Sequence, residues 1–216
     1  MTVLLVLFTL ILFLVADHVV QKARLAREER LADSGQRPIL EFPAGFELAV
    51  NHTWVSRKKD GSAVVGLDEF LGRLVGTVEK IILPGAGAKM VSSAIGITLR
   101  DGNRQISLAL PVQGRVVEVN HAVLKDPGLA TSDPYGRGWL VRVDPRSKNS
   151  TAMKLVDTAR ASEWLKEQVS LAKEFLAARM PEPALMQDGG LPVNGLLKCF
   201  DAPVWQEFQK SFVPNS

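Results

Sequence analysis

Between residues 37 and 145 the chain is a succession of short apolar runs rich in Val, Ile and Leu, cut by Gly, Pro, Asn and Asp. The runs are Phe46 to Val50, Ala63 to Gly66, Thr77 to Leu83, Ile95 to Leu99, Ile106 to Leu110, Val116 to Val119 and Trp139 to Val143. Segments this short, punctuated this often, suit strands and leave little room for long helices. They predict a mainly β domain, a small sandwich or barrel. Asp68 to Leu74 interrupts the pattern and reads as one or two helical turns. Asp101-Gly102-Asn103 separates two alternating runs, which is a strong short-range hairpin signal.

The flanks have other characters. Residues 146–180 switch to helical spacing, with Met153, Val156, Trp164, Leu165, Val169, Ala172, Phe175 and Leu176 three or four apart and charges between them. The spacing predicts helices packed on the β domain, with Ser162 as an N-cap. Residues 181–216 carry five prolines and Gly189-Gly190, so they read as a tail. Within it Trp205, Phe208 and Phe212 share one face of a short helix capped by Asp201. That face needs a cover, either the domain or a docked protein partner.

At the other end, Val3 to Ala16 is apolar apart from Thr9. A helix over residues 1–20 would be about 30 Å long, enough to cross a bilayer. No basic residue precedes the run and no A-x-A pattern follows it, which argues against a cleaved signal peptide. Lys22, Arg24, Arg27 and Arg30 follow at once, and the positive-inside rule places such a flank in the cytoplasm. The expectation is a single-pass anchor in the cell membrane over 1–20, a juxtamembrane helical linker over 21–36, and a cytoplasmic domain.

Composition closes several options. The net charge of +3, from 26 Lys/Arg against 23 Asp/Glu, does not fit broad capture of nucleic acid. One cysteine, Cys199, excludes an intramolecular disulfide and a multi-cysteine zinc site. The histidines at 18, 52 and 121 form no metal-ligand spacing. Gly85-Ala86-Gly87-Ala88-Lys89 fails the spacing of a phosphate loop. His52 has neither a nucleophile nor a carboxylate partner beside it in sequence. No metal, no catalytic constellation and no enzymatic activity are expected.

Four motifs, in order, resemble the H protein of the glycine cleavage system. They are His52-x-Trp54 with Val65-Gly66-Leu67 and Leu74-Val75-Gly76; Leu83-Pro84-x-x-Gly87; Pro111-Val112-x-Gly114-x-Val116-Val117-Glu118-Val119-Asn120; and Asp133-Pro134-Tyr135-Gly136-x-Gly138-Trp139-Leu140. The resemblance covers roughly residues 40–180. It implies the lipoyl/biotinyl-carrier-like fold, a β-sandwich or barrelloid with flanking helices. It also implies an activity resting on one lysine at a hairpin tip, whose amine carries lipoic acid as an amide. In the family pattern that lysine lies eight residues before the proline matched by Pro111, a count that lands on Asn103. The tip reads Arg100-Asp101-Gly102-Asn103-Arg104, and Arg100 stands where the pattern has a glutamate. No lysine occurs between Lys89 and Lys125. An amide cannot form without a primary amine, so Asn103 is expected to be unmodified and no lipoate to be attached. The reading is a membrane-tethered, non-lipoylated, H-protein-like accessory or assembly subunit of a membrane-associated complex, with other subunits as partners. The alternatives are a lipoyl and aminomethyl carrier of glycine cleavage or a related pathway, and a module that binds a small molecule or a lipoyl group.

Overall fold

The computed structural model describes residues 40, 42–91, 94–145, 151–179 and 194–215, all within one compact unit, Ile39–Ser216. The anchor over 1–20, the linker over 21–36 and the basic flank of Lys22, Arg24, Arg27 and Arg30 lie outside the described residues. No described helix is long and apolar enough to cross a membrane.

Strands β1 (Glu47–Leu48), β2 (Thr53–Arg57) and β3 (Ala63–Leu67) form an antiparallel meander. Trp54 stands opposite Gly66, and its indole lies over that glycine; a Cβ there would fall 2.3 Å from the ring. Helix α1 (Glu69–Val75) follows, capped by Asp68, whose side chain accepts from Leu71 N. Then come β4 (Lys80–Ile82), β5 (Lys89–Met90), β6 (Ile95–Asp101), β7 (Arg104–Ala109) and β8 (Gly114–Val119). Two short helices, α2 (His121–Lys125) and α3 (Leu129–Ser132), lead to β9 (Val141–Pro145).

The strands make two sheets, one in the order β1-β2-β3-β9-β8-β5 and one in the order β4-β6-β7. Alternate side chains point inward, so Val55, Val65, Val116, Val141 and Val143 from the larger sheet join Ile81, Ile97, Leu99, Ile106 and Leu108 from the smaller in one core. Burial of these branched side chains on both sheets is the main stabilising term, at roughly 1.5–3 kcal/mol per fully buried residue. The fold is mainly β with flanking helices, as the runs and turns predicted.

The segment after β9 departs from expectation. Residues 151–157 are extended rather than helical: Thr151 bridges Val112 and Leu155 bridges Ala49. Met153 and Val156 are three apart, but two points do not make a period, and backbone pairing to the sheet decides the conformation. The single long helix α4 (Ala161–Ala177) begins only after a 3-10 turn at Thr158–Arg160. Ser162 does not cap it; its Oγ accepts from Phe42 N at 3.3 Å. Further on, a 3-10 turn (Leu196–Cys199) precedes α5 (Ala202–Phe212), which Asp201 caps as the sequence suggested.

Candidate functional site: a clamped hairpin

The β6–β7 hairpin is the element on which the family resemblance places its chemistry. Asp101 pairs with Arg104, so the loop is the two-residue Gly102-Asn103. Gly102 takes a left-handed φ of +60° and Asn103 does not, the pattern of a turn with glycine in first place. The turn therefore sits one residue later than the Asp-Gly pair suggested, and Asp101 ends a strand. The tip is tied down by Gly102 N, which donates to Glu79 Oε2 at 3.0 Å. Asn103 is exposed. Arg100 is exposed too, between Lys80 on β4 and Gln105 on β7.

Asp101 is 5 % exposed and holds two cations. Arg104 Nη2 donates to its Oδ2 at 2.7 Å, and Lys198 Nζ to its Oδ1 at 3.4 Å. Lys198 Nζ also donates to Thr77 O. Arg104 reaches onward: its Nη1 donates to Lys198 O at 2.6 Å and Phe200 O at 3.3 Å, and its guanidinium lies 5.5 Å from the Trp205 ring. The clamp continues down β7. Ser107 N donates to Gln209 Oε1, while Asn215 accepts from Ala109 N and donates to Ser107 O.

Trp205, Phe208 and Phe212 are buried in the chain's own core. Trp205 Nε1 donates to Leu197 O at 2.7 Å, Phe212 stacks on Phe208 at 4.7 Å, and both phenylalanines meet Phe175 of α4. Arg179, just past the end of α4, pairs with Glu207 of α5. Of the two covers the sequence left open for this face, the domain takes it, and these rings offer no surface for docking.

A second polar cluster escaped the sequence reading. His52, with a left-handed φ of 64°, sets Nδ1 2.7 Å from Asp68 Oδ2. Both residues are fully buried, and the imidazole stacks against Phe70 and Trp164. The signal was there: once Thr53 pairs with Leu67, residues 52 and 68 must be neighbours. His52 Nε2 has no hydrogen-bond partner among the described residues and no exposed surface. The pair orients α1 and presents no reactive atom to a substrate. Tyr135 packs nearby; its hydroxyl accepts from Glu69 N, and burial, reinforced by the charges of Asp68 and Glu69, pushes its ionisation far above the usual range. Among the described residues no group of three His, Cys, Asp or Glu side chains could hold a metal ion.

Two antiparallel sheets around one core, flanked by helices and with a tight hairpin on the smaller sheet, define the class of mainly β domain to which this chain belongs. Residues 47–168 match the glycine cleavage H-protein family, and the chain belongs to it. It is similar to the H protein of Beutenbergia cavernae, 36% identical over 121 residues that cover 56% of this chain and 93% of that protein. The H protein of Bifidobacterium longum is 32% identical over 113 residues, 52% of this chain and 82% of the relative. Among solved structures, an H protein from Mycobacterium marinum superposes with a TM-score of 0.51 at 26% identity, covering 59% of this chain and 98% of that one. The matched span ends at residue 168, so the segment 194–215 that grips the hairpin lies outside it.

Proposed function

We propose that this chain is a non-lipoylated H-protein-like subunit, held at the membrane through residues 1–20, that serves a membrane-associated complex as an accessory or assembly component. The observation that carries the reading is the hairpin tip. It is an exposed two-residue turn with Asn103 where the family pattern has lysine, and residues 90–124 contain no lysine at all. A carboxamide cannot be acylated to a stable lipoyl amide, and the guanidinium of neighbouring Arg104, a poor nucleophile, is fully engaged. The amine that reaches the tip from the C-terminal segment, that of Lys198, is spent on Thr77 O and Asp101, and exposed Lys80 stands on neighbouring β4, outside the β6–β7 turn. The residues at the tip do not fit a lipoyl group.

The family supports a second reading, that of a carrier, because the relatives quoted above are named H proteins. That reading needs another attachment site. Intact mass after co-expression with a lipoate ligase and excess lipoate separates the two. The proposal expects no lipoyl-sized increment on the unaltered chain and an increment on Asn103→Lys, larger when Arg100→Glu is added. Efficient modification of the unaltered chain would establish the carrier instead. The membrane part rests on the sequence of residues 1–36, and protease treatment of intact spheroplasts should leave residues 37–216 uncut.

A further inference from the structure

The hairpin end of the smaller sheet carries a charge asymmetry that the fold does not require. On β4, Lys80 and Ile82 point outward while Ile81 enters the core. Lys80 stands directly opposite Arg100 on β6, and Arg100 opposite Gln105 on β7, so one outward row reads Lys80, Arg100, Gln105. Like charges directly opposite on adjacent strands are destabilising, by a few tenths of a kcal/mol. The carboxylates that could relieve the repulsion are used elsewhere. Glu79 accepts from Gly102 N, and Asp101 is buried under Arg104 and Lys198. Lys80 and Arg100 make no hydrogen bond or ion pair among the described residues. Beside them Ile82, 37 % exposed, adds an apolar step in the next row, opposite Thr98.

We propose that this face, Lys80, Arg100, Gln105 and Ile82, is a docking surface for an acidic protein segment that carries an apolar residue. Two unpaired cations on adjacent strands, about 5 Å apart in backbone spacing, match carboxylates presented by one chain rather than a diffuse field. The ties from Glu79 and from Arg104 to the 194–215 segment hold the hairpin still before the partner arrives, which lowers the ordering cost of binding. The chain's small net charge of +3 disfavours a lipid surface, which needs a broad basic patch. The inference deepens the accessory-subunit reading and rests on it. Its failure leaves the intact-mass result untouched, so the two can fail separately.

The test uses the full chain in neutral phosphatidylcholine nanodiscs and a capped pentapeptide of four glutamates around a central leucine. Binding should weaken roughly tenfold between about 50 and 300 mM salt. Lys80→Glu is the decisive variant. It sets a carboxylate opposite Arg100, so the melting temperature should rise by about 1–3 °C while peptide affinity falls by about tenfold or more. Lys89→Glu, on β5 of the other sheet, should leave the affinity within about twofold. Unchanged affinity in Lys80→Glu, or equal losses in the two variants, overturns the proposal. So does protection of Lys80 from acetylation in phosphatidylserine nanodiscs with no effect of the peptide, because the occupant is then the lipid.

Discussion

Asp68 and Asp101 are both buried carboxylates that divide their two oxygens between two partners, and they differ in where those partners come from. Asp68 gives Oδ1 to Leu71 N and Oδ2 to His52, all within one β-hairpin and the helix after it. Asp101 gives Oδ2 to Arg104, three residues away, and Oδ1 to Lys198, 97 residues away. The first cluster is sealed, with both side chains at zero exposure. The second is half wet: the Arg104 and Lys198 side chains are 23 % and 36 % exposed. The sealed pair lies inside the span shared with H proteins and fixes a piece of that fold. The wetter one fastens a segment outside the span onto the hairpin on which the family resemblance places its chemistry, and water can partly replace it.

The comparison predicts a ranking. Asp68→Ala removes a helix cap and strands a buried imidazole, so unfolding in urea should show a loss of about 3–5 kcal/mol. Asp101→Ala should cost less, about 1–3 kcal/mol, because its cations can turn to solvent. In that variant the amides of α5 should exchange faster while those of α1 keep their protection; equal loosening of both would break the distinction. Asn215→Ala gives up two bonds at a partly exposed site and should cost about 0.5–1.5 kcal/mol, read by the same exchange experiment at Ser107 and Ala109.

The smallest effect is spectroscopic and uses the single tyrosine. Burial first, and then the negative charges of Asp68 and Glu69, raise the ionisation of Tyr135 above its unfolded value near 10. The stability this contributes is fully present below that pH and is lost as pH rises towards the folded value. Phenolate absorbance should therefore appear only together with alkaline unfolding. A phenolate signal near pH 10 in the folded chain would show that the Tyr135 hydroxyl beside the sealed cluster is open to water.

What could be read ahead of the structure followed from local rules. Short runs and turn residues located seven of the nine described strands but not β2 or β5, and Asp201 sat where a helix start needs an acceptor. The misreadings share a cause. Residues 151–157 have helical spacing at two positions only, and pairing to Ala49 and Val112, far off in sequence, makes them extended. The His52–Asp68 pair depends on the β2–β3 register, and the grip of Lys198, Gln209 and Asn215 on the hairpin joins residues about a hundred positions apart. No periodicity encodes such distances. For the tip, the expectation that Asn103 is unmodified rests on the want of an amine there, and the intact-mass experiment tests it.

Asn215 has a consequence of its own. Its carboxamide meets Ala109 N and Ser107 O as a neighbouring peptide unit would, and Gln209 takes Ser107 N. Strand β7, an outer strand of its sheet, is thereby closed to pairing with another chain. Two amide side chains act as a one-residue stub of a fourth strand. A protein that met this sheet by adding a strand would have to do so along β4.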